Sequence, residues 1–469
     1  MAEYHLGCPI CGFRVENEVI LNKCPKCYSP LDFFFDEEYL KNVVFRGPLT
    51  FWRYEKILPK VSKIISLGEG GTALHRADRL GEILRLKNFY LKDETRNPTN
   101  SFKDRAASLI VSDAYSKGFD SIICATNGNQ GAALAAYCAK IDISCHLLVP
   151  KALDMGKLAQ MIVYDAQIEE AGETIEEAII KAEKREKETR WYQATAELNP
   201  LSVEASKTLS MEVMEQLTVP DWIVVAMGSG ATIHAIWKGF IELNRMGLTD
   251  KKPRLIGVQA EGCAPIVEAH IKNDLEPMQY VKSATTAVAI KVSSPIYGKI
   301  ALKDIRNSKG IAVSISDEEM LKSEKEVAKR EGIFAEPASA ATIACLKPLM
   351  DQGIIEKNDI VVSLITSSGL KTDDILKTIH KHKKLTGIGF NLATKEKLLK
   401  RIQRSQTYGY DLWKSVGKGM TVGAIYQHLT DLEKRGLITS FAEGKRRYLR
   451  LTDKGERVLQ ALEDLHNLL

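Results

Sequence analysis

The chain has 469 residues, 45% of them hydrophobic and 27% charged, long enough for two or three domains with buried cores. Its formal net charge of +5 is uneven: from Lys381 to Leu469 eighteen Lys or Arg stand against nine Asp or Glu, which leaves the remainder mildly acidic. No run approaches the ~18 apolar residues of a membrane span, and no internal repeat or low-complexity segment occurs beyond the short basic run Lys381 to Lys384, which argues against a membrane-spanning or repetitive protein.

The first motif is Cys8-Pro-Ile-Cys11 followed, after twelve residues, by Cys24-Pro-Lys-Cys27. Each C-x-x-C turn can chelate one metal from two thiolates, and four thiolates match the tetrahedral preference of Zn²⁺. With Val15 to Leu21 as a short hairpin between the pairs, residues 1–45 read as a zinc ribbon with a closed, structural site. The alternative, a pair of disulfides, is opposed by the absence of a signal peptide and by five further scattered cysteines, which suit a reducing, cytoplasmic setting.

Residues 46–385 alternate between strand-like and helix-like patterns, as expected for an α/β fold. Phe89 to Asp93 alternates like a strand and Asn97-Pro98 breaks it; apolar spacing then turns helical through Phe102, Ala106, Leu109 and Ile110 to about Gly118. Lys103, in Ser101-Phe-Lys-Asp-Arg105, therefore sits in a first helical turn, where its ammonium gains nothing from the positive dipole end. Three further strands run into glycine-spaced loops. Ser121 to Thr126 leads into Asn127-Gly-Asn-Gln-Gly131 and a small-residue helix. Trp222 to Met227 leads into Gly228-Ser-Gly-Ala-Thr232 and a helix from Ile233 to Asn244. Asp359 to Ile365 leads into Thr366-Ser-Ser-Gly369 and a last helix. Backbone N–H groups converge where a glycine loop opens a helix, which suits a phosphate.

These motifs resemble the fold-type-II pyridoxal-phosphate enzymes, the tryptophan-synthase β superfamily, and within it most closely the threonine synthases. The resemblance runs from Leu67 to Lys371. It includes Leu67-Gly-Glu-Gly-Gly-Thr72, Gly156-Lys-Leu-Ala-Gln160, Glu204-Ala-Ser-Lys-Thr208, Glu331-Gly-Ile-Phe-Ala-Glu-Pro-Ala-Ser-Ala-Ala341 and Gly369-Leu-Lys371. It implies a two-subdomain core with twisted, mainly parallel sheets, usually in a homodimer. Lys103 would carry pyridoxal 5'-phosphate as a Schiff base and serve as the catalytic base. Gly228, Ser229, Gly230, Ala231 and Thr232 would cup the cofactor phosphate, Asn129 would bond its phenolic oxygen, and Thr366 would face the pyridine nitrogen. A hydroxyl there cannot hold that nitrogen protonated, which suits elimination and replacement at Cβ or Cγ better than transamination.

The implied activity is threonine biosynthesis from O-phosphohomoserine and water, with a small amino acid bound by Thr126, Asn127, Ser202 and Lys207. Two departures leave the substrate open. Where the family places an arginine after Asn-Pro, Asn199-Pro-Leu-Ser202 has a serine, which cannot make a bidentate charge-assisted pair. The loop Thr126-Asn-Gly-Asn129 replaces a usual Ser-Thr-Gly-Asn. Either Lys207, Lys92 or Arg105 compensates, or the substrate is no phosphate ester. A threonine or serine dehydratase and a β-replacement lyase thus remain open, as does an amino-acid-sensing transcription regulator.

Residues 392–469 have an order of their own: helices over Lys395–Gln403, from Tyr408 and over Thr421–Lys434, a hairpin turning at Glu443-Gly-Lys445, and a last helix from Thr452. Ile425-Tyr-Gln-His-Leu429 and Arg446-Arg-Tyr448 resemble the PadR-like winged-helix family. That implies duplex DNA as partner, with Tyr426 and Gln427 in the major groove and Lys445, Arg446 and Arg447 on phosphates. A protein-contact module is the alternative, with Leu459, Leu462 and Leu465 pairing two chains. Asp373 to Leu392 would be the joint, flexible at Gly387 and Gly389.

Overall fold

Apolar strands that end in tight glycine or asparagine turns and hand on to helices build parallel sheets, because each helix must carry the chain back across a sheet face. The computed structural model describes residues 3–15, 22–280, 283–372, 388–404, 407–416, 422–443 and 446–468. Two compact units emerge, Met1–Ile375 and Leu376–Leu469.

In the first unit a six-stranded sheet runs in the order Ile311–Ile315, Arg254–Ala260, Trp222–Ala226, Ile360–Ile365, Asn88–Asp93, Leu74–Arg76. All its pairings are parallel except the last. A smaller parallel sheet has the order Gln167–Glu170, Ser144–Val149, Ser121–Ala125, Tyr192–Gln193. Trp222–Ala226 is buried at every position, as a strand covered on both faces must be. Helix Leu201–Gln216 is buried continuously from Leu201 to Val213. Its polar residues Glu204, Lys207, Thr208 and Glu212 therefore need internal partners.

At the N-terminus Tyr4–Gly7 pairs antiparallel with Asp32–Phe35, and Phe35 enters the main core with Leu40, Tyr54 and Leu209. From residue 16 the hairpin expected over Val15–Leu21 lies outside the described residues.

This lobe meets the core through buried charge. His234 and Lys238 lie one turn apart on helix Ala231–Arg245. His234 Nε2 is 3.1 Å from Asp32 Oδ2 and its Nδ1 2.7 Å from Asp304 Oδ2. Lys238 Nζ lies 2.5 Å from both Asp32 Oδ1 and Glu204 Oε1.

The second unit packs helices Ile388–Arg404, Gly409–Val416, Val422–Lys434 and Asp453–Leu468 with a three-stranded antiparallel sheet, Thr407–Tyr408, Arg446–Leu451, Ile438–Glu443. This helix order and hairpin are those of a winged helix. Two expectations are corrected here. Gly389 lies within a helix that begins at Ile388, so it is no hinge, and residues 373–387 fall outside the described set. Leu459 is buried in this unit's own core beside Leu398 and Leu412, so it does not wait on a second chain. No helix among the described residues is long and apolar enough to cross a membrane.

A pH dependence follows from His234. Burial alone would lower its pKa, but Asp304 and Asp32 outweigh burial and raise it from 6.5 to about 9. Protonated His234 thus contributes stability that is whole below about pH 6.5 and lost as pH rises through about 9. A shift of this size corresponds to about 3 kcal/mol. Urea unfolding from pH 6 to 10 should show that decline in the wild type and not in His234→Gln.

Candidate active site and metal centre

The carboxyl ends of the two sheets face a common cavity, the usual place for ligands in open α/β sheets. Its lining includes Lys103, Thr126, Asn127, Asn129, Glu197, Gly228, Ser229, Gly230, Thr232, Glu336 and Thr366. Residues from four separate motifs are thereby brought together.

Lys103 opens helix Lys103–Ser116. The preceding turn is pinned to the loop after strand Ile360–Ile365: Phe102 N donates to Thr366 O at 2.9 Å, and Ser101 bridges Ser367. Among the described residues the Lys103 ammonium has no hydrogen-bond partner; the Phe102 ring lies 4.9 Å away. Burial lowers its pKa, opposed in part by the Glu197 carboxylate. An unpaired, desolvated lysine facing a cavity is primed to lose its proton.

Two residues beyond it, Arg105 fixes the geometry. Its guanidinium is wholly buried and forks onto Glu94 (2.8 and 2.8 Å) and Glu212 (2.5 and 3.0 Å). Lys92 Nζ completes the cluster, 2.6 Å from Glu212 and 2.9 Å from Gln216 Oε1.

The loop Gly228-Ser-Gly230 turns into helix Ala231–Arg245. Gly230 has φ +92°, where a side chain would be strained, and a Cβ there would lie 3.1 Å from Tyr297 O, a tight approach. The first-turn amides of this fifteen-residue helix lack intrahelical acceptors and face the cavity end, a fit for a phosphate. Opposite, Thr126 Oγ1 accepts from the amides of Gly128 and Gly131 at 3.0 Å each and closes the loop that opens helix Asn129–Ala139. Gly128, at φ +130°, leaves room for Lys157, whose Cδ would lie 2.2 Å from a Cβ there.

Asn129 Nδ2 lies 3.3 Å from both Glu336 carboxylate oxygens, and Thr366 Oγ1 lies 3.0 Å from Ser339 Oγ. These residues fit pyridoxal phosphate: on one cavity they set a lysine without a hydrogen-bond partner among the described residues, a helix-terminal cradle and a threonine hydroxyl.

The remaining substrate candidates are elsewhere. Ser202 does not line the cavity; its Oγ is buried without a hydrogen-bond partner among the described residues. Lys207 is buried between Glu204 (2.6 Å) and Glu242 (2.7 Å). Lys92 and Arg105 are likewise consumed by the Glu94–Glu212 cluster, so none of the three can take the place of the missing arginine. Sequence reasoning missed Glu197 and Glu336, the carboxylates that do reach the cavity. The signal was present for Glu197, which stands two residues before Asn199-Pro200.

The four cysteines converge. Their Sγ atoms all lie within 4.8 Å of one another, with Cys8–Cys27 at 3.4 Å and Cys11–Cys24 at 3.5 Å. A tetrahedral ion with Zn–S near 2.3 Å asks for sulfurs about 3.8 Å apart, and the set fits.

On the winged helix Tyr426 and Gln427 lie on the exposed side of Val422–Lys434. Arg447 is exposed on the hairpin and tied to Glu433 at 3.0 Å and Ser440 at 2.7 Å. Lys445 lies outside the described residues, and Arg446 opens the second hairpin strand.

Residues 65–367 match the family model of pyridoxal-phosphate dependent enzymes, and residues 398–461 that of the transcriptional regulator PadR-like family. The chain is 38% identical over 377 residues to a threonine synthase of Methanocaldococcus jannaschii, covering 78% of this chain and 93% of the relative. A threonine synthase of Methanosarcina acetivorans is 37% identical over 376 residues, 78% and 92%. A fungal L-serine ammonia-lyase structure from Rhizomucor miehei superposes with TM-score 0.58 at 19% identity, covering 68% of this chain and 99% of that one, a likeness of fold alone.

Replacing Arg105 by Met should leave the buried Glu94 carboxylate without a cation and Glu212 with Lys92 alone, and cost about 3–5 kcal/mol in urea unfolding. Arg105→Lys, which keeps the charge but not the fork, should lose less.

Proposed function

We infer that this chain, which belongs to the pyridoxal-phosphate dependent enzymes and among them to the threonine synthases, converts O-phospho-L-homoserine and water to L-threonine and phosphate. The observation that carries this reading is Lys103, a desolvated lysine without a hydrogen-bond partner among the described residues, on one cavity with a helix-terminal cradle and Thr366.

Gly228 to Thr232 would hold the cofactor phosphate by backbone amides, and Thr366 would face the ring nitrogen as a hydroxyl. Bound there, pyridoxal phosphate supplies an electron sink conjugated to the substrate Cα. Thr126, Asn127 and the start of helix Asn129–Ala139 would orient the substrate carboxylate, since anions are favoured at a helix N-terminus. Lys103, once free of the cofactor, would take a proton at Cα and later return one; its lowered pKa makes the neutral amine available for that. A proton leaves Cβ as phosphate departs from Cγ, Cγ takes up a proton to become the methyl carbon, and water then adds its hydroxyl at Cβ while Cα regains a proton. The four cysteines would hold one structural zinc in a reducing, cytoplasmic setting.

A second reading has one observation in its favour. Among the described residues, the ionisable groups lining the cavity apart from Lys103 are the carboxylates Glu197 and Glu336, with no arginine. Such a lining is poor for a second phosphate dianion and better for an unphosphorylated hydroxy amino acid, as in a dehydratase.

The winged helix would bind duplex DNA as a homodimer, with the helix Val422–Lys434 in the major groove and the hairpin over phosphates. An amino acid could control that binding only by favouring one of two core states, and DNA would then alter amino-acid affinity by the same factor.

Purified protein offered O-phosphohomoserine should release phosphate, and Lys103→Ala should lose at least 10²–10⁴-fold in rate together with the borohydride-trapped cofactor adduct. Keto acid formed from threonine or serine, without phosphate release from phosphohomoserine, would favour the second reading.

DNA affinity should fall steeply with salt as counterions are released. In mobility shifts across a salt series, Arg447→Ala should weaken binding to all sequences and reduce the salt slope by about 1, whereas Tyr426→Ala should change sequence preference.

A further inference from the structure

The metal lobe reaches the supports of the cofactor cradle through one helix. Ile10, the residue between the first two cysteines other than Pro9, packs in a small apolar cluster with Ala231, Ala235 and Tyr297. Ala231 is the first residue of helix Ala231–Arg245 and immediately follows Gly230 of the cradle. Tyr297 belongs to the same support: its N–H donates to Ser229 O at 3.0 Å, and its carbonyl closes against Gly230.

Asp32, five residues after the last cysteine, grips the same helix on its next turns. Its two carboxylate oxygens take His234 Nε2 at 3.1 Å and Lys238 Nζ at 2.5 Å, and Lys238 also donates to Phe33 O at 2.5 Å. The lobe thus holds the helix at 234 and 238 and packs on the cluster of Ala235, over its first two turns. These turns carry the amides of the cradle.

We propose that the metal site and the cofactor site are energetically coupled: the metal-ordered turn Cys8–Cys11 and strand Asp32–Phe35 clamp the start of helix Ala231–Arg245 and so preorganise the phosphate cradle, with Ile10, Asp32 and His234 as positioning residues. The inference rests on the cofactor and zinc readings above. Its physical basis is that two short C-x-x-C turns with few apolar residues have little order of their own without a metal. When the turn loosens, Ile10 leaves the cluster of Ala235 and Tyr297 on which Ala231 also packs, the cradle amides lose their fixed direction, and ordering them must then be done at the expense of cofactor binding. Coupling of this kind is reciprocal.

The test uses the full-length protein, zinc-loaded or treated with a chelator, titrated with pyridoxal phosphate and followed by visible absorbance. Metal removal should weaken cofactor affinity about ten-fold, within the usual range of coupling between sites. Zinc release to a chromogenic chelator at equilibrium should be less favourable by the same factor when the cofactor is present. Ile10→Ala, which leaves all four thiolates, should keep one zinc per chain yet bind the cofactor several-fold more weakly and respond less to metal removal. Asp32→Asn should do likewise.

Equal cofactor affinity with and without metal, in protein whose far-UV spectrum is unchanged, would overturn the proposal. Should chelation unfold the chain, Ile10→Ala decides alone: zinc retained with wild-type cofactor affinity overturns it. No absorbing adduct under any condition would instead be a failure of the cofactor reading, and no zinc in the purified chain a failure of the metal reading.

Discussion

A single buried guanidinium carries much of this architecture. Arg105 joins Glu94, just past strand Asn88–Asp93, to Glu212 on helix Leu201–Gln216, and it stands two residues from Lys103. Lys92 balances the cluster, giving two cations and two carboxylates, all with fully buried side chains. Burial alone would raise the Glu212 pKa, yet Arg105 and Lys92 lower it below the ordinary carboxylate value. Such a cluster is expensive to dismantle in part, because any member left behind is an uncompensated buried charge. It therefore holds the first turn of helix Lys103–Ser116 in one position relative to both sheets. The reactive lysine can then remain unpaired among the described residues, since its location does not depend on a bond of its own.

The same economy of charge recurs on the other side of the central helix. Glu204 and Lys207 on Leu201–Gln216 meet Lys238 and Glu242 on Ala231–Arg245, and Asp32, His234 and Asp304 extend the chain of contacts to the N-terminal lobe. Two helices that are polar within the core are thereby made specific in register: each ammonium has a carboxylate within 2.7 Å. The consequence for chemistry is that the cations closest in sequence to the missing arginine are already committed. Among the described residues, Lys103 is left as the basic side chain lining the cavity, together with Glu197 and Glu336.

The two units differ in how they reach order. The core buries charged networks and long parallel strands, with pairings between distant parts of the chain. The winged helix closes on itself around Leu398, Leu412, Ile425 and Leu449, its first strand pairing with the second strand of the hairpin and Leu459 of its last helix meeting Leu398 of its first. Tyr426 and Gln427 on its third helix remain exposed, as does Arg447, whose guanidinium is tied to Glu433 of that helix and to Ser440 of the hairpin.

What the sequence determined by itself was local. The position of Lys103 at a loop-to-helix junction, the glycine loops before helices Asn129–Ala139 and Ala231–Arg245, and the four cysteines could be read from short spans. Positive φ, chain breaking by proline and two-residue chelate spacing are constraints that act within a few residues. The strand and helix order of the winged unit was legible for the same reason. Tertiary structure decided the partners. Nothing in the spacing of Lys207 announces Glu242, and Asp32 and His234 are 202 residues apart. Ser202, aligned with a family motif, lies off the cavity, whereas Glu197 three residues before Pro200 lines it. Periodicity states which face of an element is buried; which charge waits on the neighbouring element depends on how the elements are packed, and that is a property of the fold alone.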